Sequence, residues 1–302
     1  MVKWRLHNET QCMTLELDIS GVCERIRRSE ITPELIAYVD SDTRPLGLNF
    51  SDLFHSVDAD QAIGLAGQNV LEIGGALSCN FALGFLDANE WSCIEYGGYI
   101  PPSKQAGLGN QLPRTNSPIE QRKYHYYNCK AHEFRPKTDN FARYTRVYSI
   151  AAFEHIGNLL ASLDHIATFC DTGSLLYAYF TPIWSDPAGH HLGKEIIDLI
   201  GPWGHLANTP QQLRRWILDQ GLDHREVDTI IYNIYKDPHI NRNMPTDYEL
   251  IFMNSSWKPI EIRPINKLEL NQLPTSTQQR VMSHYPLEKY LCSGYRVILQ
   301  LI

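Results

Sequence analysis

The chain has 302 residues, of which 43% are hydrophobic and 20% charged, and its net charge is −7 at pH 7. This composition is typical of a globular protein with one large domain, or a core with an appended cap. The acidic balance argues against nucleic acid as the main partner, because phosphate binding depends on clustered Lys and Arg. No segment reaches the roughly 18 apolar residues of a membrane span, so we expect no membrane insertion.

The seven cysteines are scattered along the chain without a CxxC pair or a zinc-like spacing. An odd number of cysteines in a chain of this length is typical of reduced thiols. The N-terminal sequence MVKWRLHNETQC has no apolar core of a signal peptide. Together these features predict a cytoplasmic protein. They give no indication of its oligomeric state.

The first 64 residues have helical patterns. The segment SGVCERIRRSEITPELIAYVD has apolar residues at helical spacing with a break at Pro33, and FSDLFHSVDADQAIGL indicates a further helix. We therefore expect residues 1–64 to form a helical cap or lid, and residues 65–302 to form the core.

From about residue 68, short apolar strands alternate with helical stretches. The strand candidates are NVLEIGG, WSCIEYG, KYHYYNC, RYTRVYSIAAF and GSLLYAYFTPIW. Such alternation predicts a parallel sheet with crossover helices, that is, an α/β fold. The Gly- and Pro-rich stretch at 97–118 is too long for an ordinary connection, which favours a lid or binding loop.

The last third contains fewer clear signals. NTPQQLRRWILDQGL predicts a helix with Asn208 or Thr209 as its cap, Pro210 in its first turn and Gly221 at its end. DYELIFMNSSWKPIEI has a strand-like composition, and GYRVILQLI at the C-terminus predicts a strand.

The turn after the first strand candidate excludes two common nucleotide sites. Gly74 and Gly75 end that strand, but Ala76 and Cys79 stand where a G-x-G-x-x-G dinucleotide fingerprint needs glycines. A P-loop is excluded because no G-K-[ST] follows. A pyrophosphate ligand such as NAD therefore fits poorly.

S-adenosylmethionine (SAM) fits this turn better, because it has no phosphate. SAM needs small residues beside its methionine part and acids for its ammonium and ribose groups. Glu72 lies beside the turn, and Glu95 ends the next strand candidate, 21 residues after Gly74. In Rossmann-like sites an acid about 20 residues further on accepts hydrogen bonds from the ribose.

The order E-x-G-x-x-x-S at 72–78, then Glu95, then YSIAAFEHI at 148–156 resembles the class I SAM-dependent methyltransferases. AAFEHI resembles the segment after the fourth strand in their "type 11" small-molecule group, LLYAYFTPIWSDPAGHHL resembles the fifth strand with its acceptor loop, and GPWGHL resembles an element of some small-molecule methyltransferases. The chain departs from the family at Ala76 and Ser78, which replace glycines, and in CKAHEF, which lacks the usual acid.

The resemblance implies a Rossmann-like fold, a mostly parallel seven-stranded sheet with helices on both faces. It implies SAM as the cofactor, S-adenosylhomocysteine as its product, and an acceptor-side loop at 182–210. The cofactor-binding residues that it implies are Glu72, Gly74, Gly75 and Ala76 for the methionine part, Glu95 for the ribose, Tyr96, Ala131 and His132 for the adenine, and Ser149 and Ile150 beneath the sulfonium.

Methyl transfer to an OH or a protonated NH needs a base, and neutral histidine is the common choice. The candidates are His155, His190, His191 and His205, although the family's Glu-His pair, here Glu154 and His155, is usually structural. His190 and His191 are neighbours, so at most one of them should face the acceptor. A metal site is the weaker interpretation, because no helical ligand spacing supports it, and we expect none.

The predicted acceptor-binding residues are Tyr99, Trp184, Trp203 and His205. Their aromatic character favours a flat or apolar small molecule, and the bulky additions to the core suggest a tailoring enzyme of secondary metabolism. Methylation of a sugar or glycan is an alternative, and would need more polar acceptor loops. A protein that kept the fold but lost catalysis, and acts as a binding or scaffold partner, is a third possibility.

Overall fold

The computed structural model describes residues 19–42, 50–75, 77, 80–96, 123–136 and 141–302. The stretch 97–118, for which a lid is predicted, lies outside these residues, as do Ala76, Ser78 and Tyr99. The two compact units of the chain are called here the N-terminal unit (residues 1–150 and 169–177) and the C-terminal unit (residues 151–168 and 178–302).

Nine strands occur within the described residues, and they form a large sheet and a small one. Their bounds are β1 Asn69–Ile73, β2 Glu90–Ile94, β3 Lys123–Tyr127, β4 Tyr144–Ile150, β5 Cys170–Phe180, β6 Trp257–Ile265, β7 Leu268–Glu269, β8 Tyr290–Leu291 and β9 Gly294–Leu301. The large sheet has the order β3-β2-β1-β4-β5-β9-β6. Strand β1 pairs in parallel with β2 and β4, β2 pairs in parallel with β3, and β6 pairs antiparallel with β9. The predicted mostly parallel, seven-stranded Rossmann-like sheet is confirmed.

The α-helices of the described residues are α1 Ile19–Arg27, α2 Pro33–Asp42, α3 Phe50–Ile63, α4 Leu159–Ala167, α5 Lys194–Ile200, α6 Gly204–Ala207, α7 Pro210–Asp219, α8 His224–Tyr235, α9 Pro245–Asn254 and α10 Thr275–His284. None of these helices is long and apolar enough to cross a membrane. Helices α1 to α3 lie in the stretch predicted as a cap, and their covering role stays a prediction. Segment 182–210 contains α5 and α6, so it is not a loop throughout.

Strand β1 anchors the core of the N-terminal unit. Its last four residues are buried, as expected for a parallel strand covered on both faces. Next to it the ring of Tyr148 lies 5.7 Å from the ring of Trp91 and 6.4 Å from that of Tyr177. The Tyr148 hydroxyl is 3.0 Å from the Ser56 hydroxyl, which ties α3 to β4.

Local signals set the helix starts in the C-terminal unit. Thr209 and Gln212 form a capping box at the start of α7, with Pro210 in its first turn, as predicted. Asp223 caps α8 by accepting hydrogen bonds from the amides of Arg225 and Glu226.

One secondary-structure prediction is wrong in its first half. The strand-like segment DYELIFMNSSWKPIEI begins inside helix α9, and only WKPIEI lies on a strand, β6. Pro245 occupies the first turn of α9, and the Asp247 carboxylate accepts a hydrogen bond from the Met244 amide at 2.9 Å. Tyr248 and Phe252 are spaced by four residues and both are buried. The start signals and the buried face therefore outweigh the strand-like composition.

Candidate functional site

The carboxyl ends of three neighbouring strands meet at one edge of the sheet in the N-terminal unit. Ile73 pairs with Ile94 in the β1–β2 register, and the Gly74 amide continues the ladder with a 2.8 Å hydrogen bond to the Ile94 carbonyl. On the other side, the Ser149 hydroxyl donates to the Ile73 carbonyl at 2.9 Å. Because the chain order reverses between β1 and β4, this edge is the switch point at which open α/β sheets bind ligands.

The turn after β1 needs glycines for two different reasons. Gly74 has a φ of +70°, a conformation that side chains rarely adopt. At Gly75 a Cβ atom would lie 2.1 Å from Oε1 of Glu72. The carboxylate therefore occupies the space that a side chain at residue 75 would need.

The Glu72 side chain holds the turn after β1 through hydrogen bonds to its carboxylate. It is almost fully buried and accepts a 2.7 Å hydrogen bond from the Trp91 indole. The Leu77 amide lies 3.2 Å from Oε1 of Glu72 and 3.4 Å from its Oε2. Burial raises the pKa of Glu72 from 4.5 to about 7, although the bonds from Trp91 and Leu77 act in the opposite direction.

Glu95 is the second acid of this edge. It is 9% exposed and follows the end of β2, where its amide donates to the Tyr127 carbonyl at 3.0 Å. Burial raises its pKa to about 7, and the charge of Glu72 adds to the effect. Within the described part of the chain, neither acid has a salt bridge with Lys or Arg. Two buried carboxyl groups at one edge of the sheet favour a cationic ligand and repel a pyrophosphate.

Two residues that the sequence analysis does not identify hold the turn from β2 and β3. The Cys93 thiol donates to the Gly75 carbonyl at 2.6 Å, and burial raises its pKa well above 9.0, so it stays protonated. The Tyr124 hydroxyl donates to the Leu77 carbonyl at 2.7 Å. Only the strand register reveals these contacts, since Cys93 lies opposite Glu72 in the β1–β2 pair.

The other predicted cofactor residues differ in exposure. Tyr96 is 53% exposed, with the Lys130 ammonium 5.1 Å from its ring centroid. Ala131 is buried and His132 is exposed on the 3-10 turn Ala131–Glu133. Ser149 is buried, and Ile150, at the end of β4, is half-buried. The predicted contact of Ala76 with the methionine part of SAM stays a prediction, because this residue is outside the described ones.

The C-terminal unit brings His155 and His191 together, with ring centroids 5.1 Å apart. Nδ1 of His155 lies 2.6 Å from the His239 carbonyl, and Nε2 of His191 lies 2.7 Å from the Pro182 carbonyl. Because a carbonyl only accepts, each contact fixes the proton on that nitrogen in the neutral ring. The lone pair is then on Nε2 of His155 and on Nδ1 of His191. Burial lowers the pKa of both imidazoles, which favours these neutral forms.

His190 points away from this pair and packs on His205, with ring centroids 5.3 Å apart. Both side chains are 1% exposed, and burial lowers their pKa values to about 4 and about 3. The Leu192 amide donates to Nδ1 of His190 at 3.0 Å, so Nε2 carries the ring proton. A metal ion on Nε2 would require the other tautomer and would break that bond. Within the described residues no group of three or more His, Cys, Asp or Glu side chains could hold a metal ion.

The predicted acceptor residues of this unit do not form one pocket. Trp184 is 3% exposed and belongs to the core of the helical region, and its indole donates to the Tyr285 hydroxyl at 3.0 Å. The His205 ring packs against it, with ring centroids 4.5 Å apart. Trp203 is half-buried and lines an open cleft of about 380 Å³. The polar residues lining this cleft are Asn208, Ser276, Thr277 and Arg280. The prediction for Tyr99 concerns a residue outside the described ones.

No protein-family model matches the sequence, and no curated protein matches it. Similar solved structures include the cyclopropane synthase MmaA2 of Mycobacterium tuberculosis, at 12% identity over 97% of this chain and 100% of that one, with a TM-score of 0.47. A SAM-dependent methyltransferase of Mesorhizobium loti is 10% identical over 82% of this chain and 97% of that one, with a TM-score of 0.44. A geranyl diphosphate C-methyltransferase of Streptomyces coelicolor is 10% identical over 90% of this chain and 85% of that one, also with a TM-score of 0.44.

The mostly parallel, seven-stranded sheet is the one that the resemblance to the class I methyltransferases implies. Likeness at these identities and TM-scores assigns no function to the chain. The function proposed below therefore rests on the residues of the site.

Proposed function

We propose that this protein is a SAM-dependent methyltransferase that transfers a methyl group to an oxygen or nitrogen atom of a small, mainly apolar or aromatic acceptor. The observation that carries the proposal is the pair of buried acids, Glu72 and Glu95, beside the Gly74–Gly75 turn at the sheet's switch point. The resemblance of the motifs at 72–78, Glu95 and 148–156 supports the same assignment.

The turn and the acids fit the chemical groups of SAM. SAM carries an ammonium group, a sulfonium and a ribose diol, and it lacks the phosphates that a buried acid pair would repel. Glu95 is the proposed acceptor for the ribose hydroxyls, and the open backbone of Gly74 and Gly75 provides space for the methionine part. Glu72 holds the turn and adds negative charge beneath it. When bound, SAM supplies a methyl group activated by its sulfonium.

The remaining catalytic work falls to the protein, which must orient the acceptor and remove a proton from its OH or NH. Of the four candidate bases, His155 and His191 have the suitable form, because each is neutral and has a lone pair on a defined nitrogen. We assign the base role to His155 Nε2, with His191 packed against its ring.

The acceptor class is proposed from the aromatic character of the acceptor-side sequence. Trp203 lines a described cleft together with Asn208, Ser276, Thr277 and Arg280, and its indole supports a flat molecule on which an aromatic ring can stack. A role as a tailoring enzyme in secondary metabolism is part of this proposal. We further propose that the protein acts in the cytoplasm, in keeping with its reduced-thiol cysteine pattern.

Calorimetric titration of the full chain with SAM and with S-adenosylhomocysteine tests the cofactor assignment. We expect one-to-one binding that weakens at least tenfold in Glu95→Ala, the loss expected when a charge-assisted hydrogen bond is removed. Glu226→Ala, which removes an exposed glutamate of α8, is the matched control and should bind normally. If the wild-type chain binds neither compound, the methyltransferase proposal is wrong. Binding without turnover on any aromatic, indolic or sugar acceptor would favour a scaffold protein.

A further inference from the structure

A short segment far along the sequence holds the turn that carries His155. This segment, DPHINRN at residues 237–243, is called here the strap. The Asn241 amide donates to the Glu154 carbonyl at 2.9 Å. The Asn241 side chain donates through Nδ2 to the carbonyls of Phe153 at 2.7 Å and Ile156 at 3.1 Å. One residue therefore satisfies three carbonyls of the 153–156 turn.

The orientation of the Asn241 amide follows from its partners. Its Oδ1 accepts from the Tyr248 hydroxyl at 2.9 Å and from the Asn243 amide at 3.1 Å. Both groups donate to Oδ1 here, and the Asn243 amide can act only as a donor, so Oδ1 must face them and Nδ2 must face the turn. A flipped amide would place donors against donors and acceptors against acceptors.

The strap is itself well anchored. The Arg242 guanidinium donates to the carbonyls of Ile234 at 3.0 Å, Asp237 at 2.8 Å and Ile240 at 3.0 Å. Asp237 also accepts from the His239 amide at 2.9 Å. These bonds fix the place of the His239 carbonyl, which lies 2.6 Å from Nδ1 of His155. The strap thus holds both the backbone around His155 and one nitrogen of its ring.

We propose that Asn241 is a positioning residue for His155, which locks the strap onto the turn so that the His239 carbonyl keeps the His155 proton on Nδ1 and the lone pair on Nε2. The catalytic meaning of this lock rests on the proposed function, in which His155 Nε2 is the base. The lock itself concerns only the tautomer of one ring, which can be observed without any cofactor or acceptor.

Long-range proton–nitrogen correlation spectra of the full chain with labelled histidines test the lock directly. Such spectra distinguish protonated from unprotonated ring nitrogens, and His155→Gln identifies the signals of His155. We expect wild-type His155 to be protonated on Nδ1. In Asn241→Asp, two carbonyls face a carboxylate in place of an amide donor, so the strap should loosen and a second tautomer should appear. Tyr248→Phe removes one hydrogen bond that orients the Asn241 amide, and it should give a smaller population of the second tautomer. It serves as the test if Asn241→Asp fails to fold.

Asn254→Asp is the matched control, because Asn254 is exposed at the end of α9 and its side chain donates to the Leu250 carbonyl of its own helix. It should leave the His155 signals unchanged. The proposal is overturned if wild-type His155 is protonated on Nε2, or if every folded variant among Asn241→Asp and Tyr248→Phe keeps the wild-type His155 signals.

Kinetics then separate positioning from simple loss of structure. With an acceptor in hand, Tyr248→Phe should lower kcat about tenfold to a hundredfold, the usual consequence of a misplaced catalytic group, with an unchanged KM for SAM. If the variants change the His155 tautomer but the wild-type chain does not bind SAM, the positioning role of Asn241 stands and the proposed function is refuted. An equal loss in kcat and in SAM binding in Tyr248→Phe would indicate that the Tyr248–Asn241 bond is merely structural.

Discussion

The Trp91 indole donates a 2.7 Å hydrogen bond to the Glu72 carboxylate, and both side chains are buried in neighbouring parallel strands. This bond is the main direct interaction that offsets the cost of a buried acid beneath the Gly74–Gly75 turn. The Glu72 carboxylate also accepts a hydrogen bond from the Leu77 amide in the turn, so one carboxylate links β1, β2 and the loop between them.

Trp91→Phe should therefore lower the free energy of unfolding by about 2–3 kcal/mol, from the lost bond and from the smaller ring. The loss should be larger at pH 8 than at pH 5.5, because the Trp91 bond favours the ionised form of Glu72. Urea unfolding at the two pH values measures both effects. Trp216→Phe changes an indole that is 52% exposed, and should shift the free energy by no more than about 0.5 kcal/mol. A pH-independent loss for Trp91→Phe would contradict this account of Glu72.

The raised pKa of Glu72 also gives a pH dependence with a definite sign. In the folded state its pKa is about 7 against an ordinary 4.5, so between these values the folded chain holds more of the proton than the unfolded chain. Stability from this group is then highest below pH 4.5 and falls as the pH rises to about 7. At about 1.4 kcal/mol per pKa unit, the full fall is on the order of 3 kcal/mol.

Buried histidines such as His205 change stability in the opposite direction, because their folded pKa values are lowered. The measurement is therefore the difference between the wild type and Glu72→Gln, taken by urea unfolding from pH 4.5 to 8. We expect the variant to gain relative to the wild type across this range. Glu226→Gln gives the reference for removing an exposed carboxylate. A constant difference between the wild type and Glu72→Gln would show that folding does not raise the pKa of Glu72.

The sequence predicts those features of the fold that depend on local signals. Thr209 and Pro210 predict the start of helix α7, because a capping box and a proline in the first turn can both be identified from a few neighbouring residues. Helix α9 is not predicted, because the apolar composition of its segment favours a strand. Its start signal at Pro245 and the spacing of four between the buried residues Tyr248 and Phe252 are the local features that identify it as a helix.

The candidate site divides in the same way. Glu72 and Glu95 are recognisable from their distance in sequence to the Gly74 turn, which is a local pattern. Cys93 and Tyr124 are not, because their contacts with the turn depend on the register of three strands. Asn241 is more distant still, 85 residues from Ile156, whose carbonyl its side chain holds. Single-sequence patterns carry no information on such long-range pairs.

Cofactor binding should be coupled to proton release. Glu72 and Glu95 both have pKa values of about 7, so near neutral pH the acid pair is partly protonated. A cationic ligand favours the ionised pair, and its affinity should rise as the pH increases through 7. Calorimetry with SAM at pH 6.5, in two buffers of different ionisation enthalpy, should give different observed enthalpies. The difference should shrink at pH 8.5 and in Glu95→Gln. Equal enthalpies in both buffers at pH 6.5 would exclude the coupling.

Gly75→Ala tests the turn by filling the space that Glu72 now occupies. The new Cβ would lie 2.1 Å from Oε1 of Glu72, whose carboxylate is held by Trp91 and Leu77 and has little freedom to move. We expect a loss of about 1–3 kcal/mol in unfolding free energy, as for other overpacked sites, and SAM binding weakened at least tenfold. Gly157→Ala is the matched control, because among the described residues no atom beyond its two chain neighbours lies within 4 Å of its Cβ position, and it should change neither quantity. Thermal unfolding and SAM titration of both variants decide the matter. Normal SAM binding by a folded Gly75→Ala protein would show that the turn does not form the cofactor site.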